Sequence, residues 1–167
     1  MQTADARVLA GSYRCCSQSE RAPDQDDPNL KRYTQLVTDS ELLELARAAA
    51  LKAYAPYSHF PVGAALVADD GRVFTGCNVE NASYGLSRCA EQTAIQKMVS
   101  EGVRGFSRIA VYGDHGALTS PCGSCRQILY EFGPDAAVVM GDPAGEITRS
   151  TVRELIPLAF GPERLEK

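Results

Sequence analysis

The sequence predicts an α/β fold, a three-layer α/β/α sandwich around a mixed sheet of about five strands. Two observations lead to this prediction. Segments whose apolar residues recur at helical spacing alternate with short strand-like segments in the order αββαβαβ(β)α, which lets helices cover both faces of one sheet. The chain has 167 residues, of which 44% are hydrophobic and 23% are charged, as expected of one globular domain.

The first predicted elements are a helix and a hairpin. Thr38-Asp39-Ser40-Glu41 has the pattern of a capping box, and apolar residues follow it at helical spacing until Pro56, which we expect to stop the helix. Residues 62–67 and 72–77 flank Asp69-Asp70-Gly71, a turn sequence typical of hairpins. We therefore expect two paired strands after the first helix.

The later elements alternate between helices and strands. A second helix is expected to begin near Cys89 and to end at Gly102, since glycine commonly follows a helix. Another helix is expected over residues 121–132, with proline at its start and Gly133 after its end. The remaining predictions are strands at residues 108–112, 136–140 and 146–148, and a helix that begins at the capping box Thr151-Val152-Arg153-Glu154.

The first 36 residues differ in composition from the rest. They have few periodic apolar positions and include a polar run at residues 17–28, which has little apolar surface to bury. We expect residues 1–36 to form a flexible extension and residues 37–167 to form a single domain. Cys15 and Cys16 lie in the extension, and we assign them no function. The segment also lacks the apolar core of a secretory signal, so we expect a cytoplasmic protein with reduced cysteines.

Charge and hydropathy exclude two classes of partner. The net charge is −4 and the pI is about 5.2, whereas a protein that holds a phosphate backbone needs a basic surface. The longest apolar stretches, such as residues 62–68, are far shorter than the roughly 18 residues of a membrane span. We therefore expect neither a nucleic acid nor a membrane as partner.

Three cysteines occur where two predicted helices begin, in the motifs Cys89-Ala90-Glu91 and Pro121-Cys122-Gly123-Ser124-Cys125. Backbone N–H groups and the helix dipole favour thiolates at such positions, and thiolates are good zinc ligands. A structural zinc site takes four protein ligands, whereas a catalytic site takes three and leaves one position to water. The pattern predicts a zinc site formed by Cys89, Cys122 and Cys125, with Glu91 free to carry protons.

The spacing of these motifs is that of the zinc deaminases, Cys-x-Glu followed by Pro-Cys-x-x-Cys. From about residue 36 to its end, the chain resembles the small homotetrameric cytidine deaminases. The resemblance is carried by four blocks that occur in the family's order, at residues 55–66, 74–84, 89–91 and 120–127.

The resemblance implies an enzyme of pyrimidine salvage, a zinc-dependent hydrolase that converts cytidine and deoxycytidine to uridine and deoxyuridine with release of ammonia. It implies one Zn²⁺ per subunit, proton transfer by Glu91 and a homotetramer. It also implies six substrate-binding residues: Asn78 and Glu80 for the ribose hydroxyls, the backbone N–H of Ala90 for the pyrimidine O2, and the aromatic residues Phe60, Phe160 and Tyr84. Of these, Phe160 would reach in from a neighbouring subunit, and Tyr84 would lie near the subunit contacts.

One position departs from the family pattern. Many members have an arginine directly after Cys-Ala-Glu, where it is thought to hydrogen-bond the zinc thiolates, and this chain has Gln92. Glutamine can donate a hydrogen bond but carries no charge, so Arg88 or Arg126 is the candidate to offset the negative charge of three thiolates. The two histidines, His59 and His115, are expected to have structural roles.

Three other functions stay open at this point. The first alternative is a deaminase of another aminated heterocycle or of a nucleic-acid base, although the net acidity of the chain and the pair Asn78 and Glu80 argue against both substrates. The second is a noncatalytic zinc-stabilised binding module with Cys77 as fourth ligand. The third is a thiol oxidoreductase that uses Cys122 and Cys125.

Overall fold

The computed structural model describes residues 37–165. Its strands are β1 (Val62–Ala68), β2 (Val73–Cys77), β3 (Phe106–Gly113), β4 (Ala137–Gly141) and β5 (Ile147–Thr151). Its helices are α1 (Asp39–Ala50), α2 (Ala90–Ser100), α3 (Gly123–Phe132) and the short α4 (Val152–Leu155), with 3₁₀ turns at Tyr84–Leu86 and Pro162–Arg164. The strands form one sheet in the order β2-β1-β3-β4-β5, in which only the β3–β4 pair is parallel. The predicted mixed five-stranded sheet is confirmed.

Helix α1 covers one face of the sheet. The predicted capping box is present, since the Glu41 backbone N–H donates to Thr38 Oγ1 at 3.2 Å and the Thr38 N–H donates to the Glu41 carboxylate at 2.7 Å. The helix ends at Ala50 and not near Pro56, because the backbone of Tyr54 already pairs with the segment that follows β2. The buried residues of this layer are Leu42, Leu43, Ala46, Ala65, Val67, Ala110 and Val139.

Helices α2 and α3 cover the opposite face. Alternate residues of β1 and β3, among them Leu66 and Ile109, point into this second layer, as the period of a strand requires. At Gly76 in β2, a Cβ atom would lie 2.4 Å from the carbonyl oxygen of Ala90 and 2.5 Å from the amide of Ala94. Glycine therefore permits α2 to lie close against β2, and this contact positions the first turn of α2 beside the end of that strand.

Asp39 joins the start of α1 to the sheet. Its carboxylate accepts hydrogen bonds from Arg108 Nη1 at 2.7 Å and from Arg149 Nε at 2.6 Å, and its side chain is 20% exposed. Burial raises the pKa of Asp39, but the hydrogen bonds from Arg149 and Arg108 outweigh burial and hold the pKa below its ordinary value.

The predicted extension at residues 1–36, with Cys15 and Cys16, lies outside the described residues, as do residues 166–167. Within residues 37–165, no helix has the length and apolar character needed to cross a membrane.

Candidate metal centre and active site

The three predicted cysteine ligands meet where α2 and α3 begin. Cys89 is the N-cap of α2 and Cys122 is the N-cap of α3, where its sulfur accepts the backbone N–H of Cys125 at 3.5 Å. The Sγ atoms of Cys89 and Cys122 are 4.0 Å apart, and all three sulfur atoms lie within 4.8 Å of one another. Zn–S bonds of about 2.3 Å at tetrahedral angles separate two sulfur atoms by about 3.8 Å, so the cluster fits a zinc ion.

Two of the cluster thiols differ in how readily they lose a proton. The hydrogen bond from Cys125 lowers the pKa of Cys89 to about 7, against the opposing effects of burial and of Glu91, and the Arg88 guanidinium adds to the lowering. The same hydrogen bond and burial raise the pKa of Cys125, which is fully buried. Of these two thiols Cys89 therefore ionises first, and a bound metal ion would stabilise the further negative charge at Cys125.

Glu91 lies in the first turn of α2 and is 4% exposed. Burial raises the pKa of its carboxyl, and hydrogen bonds from its own backbone N–H and from Cys125 only partly oppose this effect. Among the described residues, the metal cluster consists of the three cysteines, and Glu91 is not one of its ligands. A buried carboxyl of this kind, next to a metal site but not bound in it, is suited to accept a proton and to deliver it.

Gln92 lies beside the cluster. It is 8% exposed, and its Nε2 is 3.5 Å from Ser124 Oγ and 3.8 Å from Cys125 Sγ. Gln92 therefore directs a neutral N–H donor at a ligand sulfur.

The two candidate arginines differ in where they point. Arg88 donates to the carbonyl of Ser87 at 2.9 Å, and its charge lowers the pKa of Cys89. The donors of Arg126 are directed elsewhere: Nε contacts the Pro121 carbonyl at 2.7 Å, Nη1 the Leu155 carbonyl at 2.9 Å and Nη2 Ser120 Oγ at 3.2 Å. Of the two arginines, Arg88 is thus the one whose charge favours the Cys89 thiolate, whereas Arg126 ties α3 to the loop before it and to the end of α4.

Asn78 and Glu80 follow β2 and hold the loop that precedes β1. Asn78 Oδ1 accepts the N–H of Val62 at 2.8 Å, and Asn78 Nδ2 donates to the Phe60 carbonyl at 2.9 Å. Glu80 Oε2 accepts the N–H groups of Tyr57 and Ser58, at 2.9 and 3.2 Å. Both residues therefore organise residues 57–62 in this structure.

The same segment is fixed to the metal helix. Val79 lies between Asn78 and Glu80, and its backbone forms two hydrogen bonds of 2.9 Å with Arg88, the residue before Cys89. The backbone pairing of Val79 with Arg88 therefore fixes Asn78 and Glu80 relative to Cys89.

The remaining predicted site residues divide into two groups. Ala90, fully buried, is the first residue of α2, and Phe60, half-buried, packs against His115 with ring centroids 5.2 Å apart. Phe160 and Tyr84 are 62% and 74% exposed. Gln127 Nε2 donates to the Phe160 carbonyl at 2.7 Å, and the Tyr84 ring lies against the Tyr57 ring, so the structure does not bring these two residues to the cluster within one chain.

Cys77 is not a fourth ligand. Its sulfur contacts the carbonyl oxygen of Lys52 at 3.4 Å, and it lies outside the cysteine cluster. The alternative of a noncatalytic binding module with Cys77 as fourth ligand is therefore not favoured, and among the described residues the cluster has three cysteine ligands.

A separate cavity of about 280 Å³ lies on the α1 face of the sheet, away from the cysteines. Its charged side chains include Glu44 and Arg47, which pair with each other at 2.9 Å. The residues that line the cavity include no cysteine or histidine, so it lacks the thiolate chemistry of the cluster.

Sequence reasoning assigned no role to Ser58. Its hydroxyl accepts the N–H of Phe60, two residues on, at 3.1 Å, which is the local hydrogen bond that serine forms in turns. The next residue, His59, has a φ of 52°, which fits a tight turn. The feature of the sequence that indicates this turn is the serine itself, a residue typical of turns.

Comparisons with known proteins identify the family to which the chain belongs. The family model described as the cytidine and deoxycytidylate deaminase zinc-binding region matches residues 36–141, which include all three cysteines. A cytidine deaminase of Sporosarcina psychrophila is 46% identical over 126 residues, which span 75% of this chain and 93% of the relative. A cytidine deaminase of Halalkalibacterium halodurans is 52% identical over 112 residues, which span 66% of this chain and 85% of the relative.

Solved structures agree with the sequence comparisons. The crystal structure of cytidine deaminase from Burkholderia pseudomallei matches with a TM-score of 0.71 and 50% identity, over 74% of this chain and 99% of that one. The match confirms the predicted fold, and the matched zinc-binding region confirms the predicted zinc cofactor. The chain belongs to the zinc-binding cytidine and deoxycytidylate deaminase family.

Proposed function

We propose that this protein hydrolyses cytidine and deoxycytidine to uridine and deoxyuridine with release of ammonia, as an enzyme of pyrimidine salvage. The observation that carries the proposal is the open cluster of three cysteines with a buried Glu91 beside it that is not a ligand. The cytidine deaminases named above, matched over most of their length, support the choice of substrate.

Cys89, Cys122 and Cys125 would hold the zinc ion, which when bound supplies the Lewis-acid chemistry that makes water a nucleophile at neutral pH. Glu91 moves the protons. Its carboxyl takes one proton from the attacking water and delivers it to the ring nitrogen N3. It then takes the proton of the hydroxyl added at C4 and delivers it to the amine, so that the C4–N bond breaks, ammonia leaves and the C4 carbonyl forms. Glu91 carries one proton within each transfer, and burial, which raises the pKa of its carboxyl, favours the protonated form that each transfer needs.

Asn78 and Glu80 would bind the sugar. Asn78 has two donor hydrogens and two acceptor lone pairs on its amide, and the loop uses one of each, so one of each remains for a ribose hydroxyl. The two loop amides donate to a single oxygen of Glu80, and the carboxylate retains capacity to accept a hydroxyl proton.

Ala90 and Phe60 would bind the pyrimidine. The N–H of Ala90 belongs to the first turn of α2, where backbone N–H groups have no partner inside the helix, so it can donate to the pyrimidine O2. The Phe60 ring would pack against the base.

We also propose a homotetramer in which Phe160 enters a neighbouring subunit's pocket and Tyr84 lies near the subunit contacts. Exposed apolar residues support an interface, since Tyr54 bridges to Val79 and the Tyr57 ring contacts that of Tyr84 at 5.8 Å. These four side chains are 43–74% exposed within one chain, and neighbouring exposed apolar side chains of this kind mark surfaces suited to protein contacts.

We also propose that residues 37–167 form one catalytic domain and that the protein is cytoplasmic. The location is supported by the thiol chemistry, because the four described cysteines are unpaired and the three at the cluster bind zinc only when reduced.

The test of the proposed function is the choice of substrate by the zinc-loaded protein. We expect release of ammonia from cytidine and deoxycytidine, little release from an oligonucleotide, and release from the free base cytosine that is lower by about 10⁴-fold or more, because Asn78 and Glu80 would lose their partners. Equal rates on cytosine and cytidine would remove the two residues from substrate binding. Turnover of the oligonucleotide alone would favour a nucleic-acid deaminase.

A further inference from the structure

We propose that Ser58 is a positioning residue that joins the sugar-binding carboxylate of Glu80 to the backbone of Phe60, so that the sugar and base contacts move as one unit. This inference rests on the proposed function, which assigns Glu80 to the sugar and Phe60 to the base. It adds a residue with a defined effect on substrate affinity and little effect on the chemical step.

The hydrogen bonds of Ser58 connect these two residues directly. Its backbone N–H donates to Glu80 Oε2 at 3.2 Å, so the carboxylate holds the backbone of Ser58. The Ser58 Oγ accepts the N–H of Phe60 at 3.1 Å, so the hydroxyl holds the backbone of Phe60. Ser58 thereby joins the Glu80 carboxylate to Phe60 through one backbone and one side-chain hydrogen bond.

The loop needs such a connection because its backbone is strained. His59, between Ser58 and Phe60, has a φ of 52°, a conformation uncommon for residues other than glycine. The N–H of His59 is bonded to the Ala55 carbonyl at 3.1 Å, so the turn is closed on both sides of the strained residue. Phe60 is therefore oriented by the turn and not by close packing in the core.

Other contacts hold the far side of the Phe60 segment and leave Ser58 as the link to Glu80. Asn78 binds the carbonyl of Phe60, and the His115 ring lies against the Phe60 ring. The side-chain hydrogen bonds of Asn78 are with Val62 and Phe60, and the ring contact of His115 is with Phe60, so these contacts do not involve Glu80. Removal of the Ser58 hydroxyl should therefore uncouple the two substrate contacts without unfolding the loop.

Cytidine kinetics of zinc-loaded Ser58→Ala test the inference. We expect KM to rise by about 3- to 10-fold, which corresponds to one hydrogen bond of ordinary net strength, with kcat within about twofold of the unmodified value. Ser58→Thr keeps the hydroxyl and should restore KM. Ser100→Ala is the matched control, because the hydroxyl of Ser100 bonds the Lys97 carbonyl at 2.8 Å at the opposite end of α2 from the cysteines.

Two further measurements distinguish positioning from general destabilisation. In a Phe60→Leu background, Ser58→Ala should raise KM by a smaller factor than in the unmodified protein, because the two changes affect one contact. Amide hydrogen exchange of a peptide that covers residues 57–62 should be faster in Ser58→Ala than in Ser58→Thr.

An equal factor in both backgrounds, or a fall in kcat without a rise in KM, would overturn the inference. Unchanged exchange in Ser58→Ala would also overturn it. The exchange measurement does not depend on turnover, so a protein that failed to deaminate cytidine would contradict the proposed function while Ser58 was still tested.

Discussion

Glu91→Gln should abolish the chemistry of the site while it stabilises the metal-free fold. Glutamine has the shape of glutamate but cannot carry a proton between water and substrate, so activity should fall by at least the roughly 10²- to 10⁴-fold typical of a general acid–base residue. Glu91 is 4% exposed, and burial raises the pKa of its carboxyl, so its ionised form is unfavourable in the folded protein. Removal of that charge should therefore favour folding.

The pH dependence follows from proton linkage. A carboxyl whose pKa is higher in the folded than in the unfolded state makes the protein lose stability as pH rises above the unfolded value of about 4.3. The loss of stability continues until pH passes the raised pKa of the folded state. Glu91→Gln has no carboxyl at this position and should not show this loss. Relief of one buried charge should be worth on the order of 1 kcal/mol, which raises Tm by about 3 to 5 °C for a domain of this size.

The assay compares zinc-loaded turnover with melting of the metal-free protein, because a bound cation would itself change the pKa of a neighbouring carboxyl. Melting curves of Glu91→Gln and the unmodified protein should coincide near pH 4 and separate near pH 7, with the variant more stable. Glu101→Gln, at a glutamate whose side chain is 63% exposed, is the control and should alter neither quantity. Near-normal turnover of Glu91→Gln, or lower stability at neutral pH, would refute the reasoning.

Three other changes test separate parts of the structure. Phe160→Ala should raise KM for cytidine through lost stacking in the proposed neighbouring pocket, and activity should fall on dilution as tetramers dissociate; a fully active monomer in sedimentation would exclude this arrangement. Gln92→Arg should place a cation beside the cysteine cluster and retain zinc to a pH lower by up to about one unit, as measured by metal content after dialysis, and an unchanged profile would show that thiolate charge is already offset. Asp39→Asn should cost about 1 to 2 kcal/mol at neutral pH, because the lowered pKa of Asp39 contributes stability above about pH 3.9 that is lost as pH falls through the folded value. Urea unfolding at two pH values measures this loss, and Glu44→Gln, in an exposed ion pair, should cost little; an equal cost for both would contradict the role of Asp39.

Local chemistry explains why much of the fold could be predicted from the sequence. The capping box at Thr38 and the turn between β1 and β2 depend on neighbouring residues alone, and both are present in the structure. The end of α1 was predicted too late, because pairing of Tyr54 with residues more than 20 positions away ends the helical segment early. Such pairing has no local signal.

The candidate site divides in the same way. The positions of Cys89 and Cys122 at helix N-termini follow from local pattern, and the fold brings them together as expected. The direction of the Arg126 side chain could not be predicted, since its partners include the carbonyl of Leu155, which lies 29 residues further along the chain. The use of Asn78 to hold the Phe60 loop is likewise a long-range contact.

Zinc titration of cytidine turnover tests the central claim most directly. The metal-free protein is supplied with increasing zinc, and conversion of cytidine to uridine is followed by ultraviolet absorbance together with ammonia release. We expect activity to be absent without metal and to rise linearly to a plateau at one zinc per chain, because Cys89, Cys122 and Cys125 form one site. Fully zinc-loaded protein that releases no ammonia from cytidine, or metal-free protein that is fully active, would contradict the account.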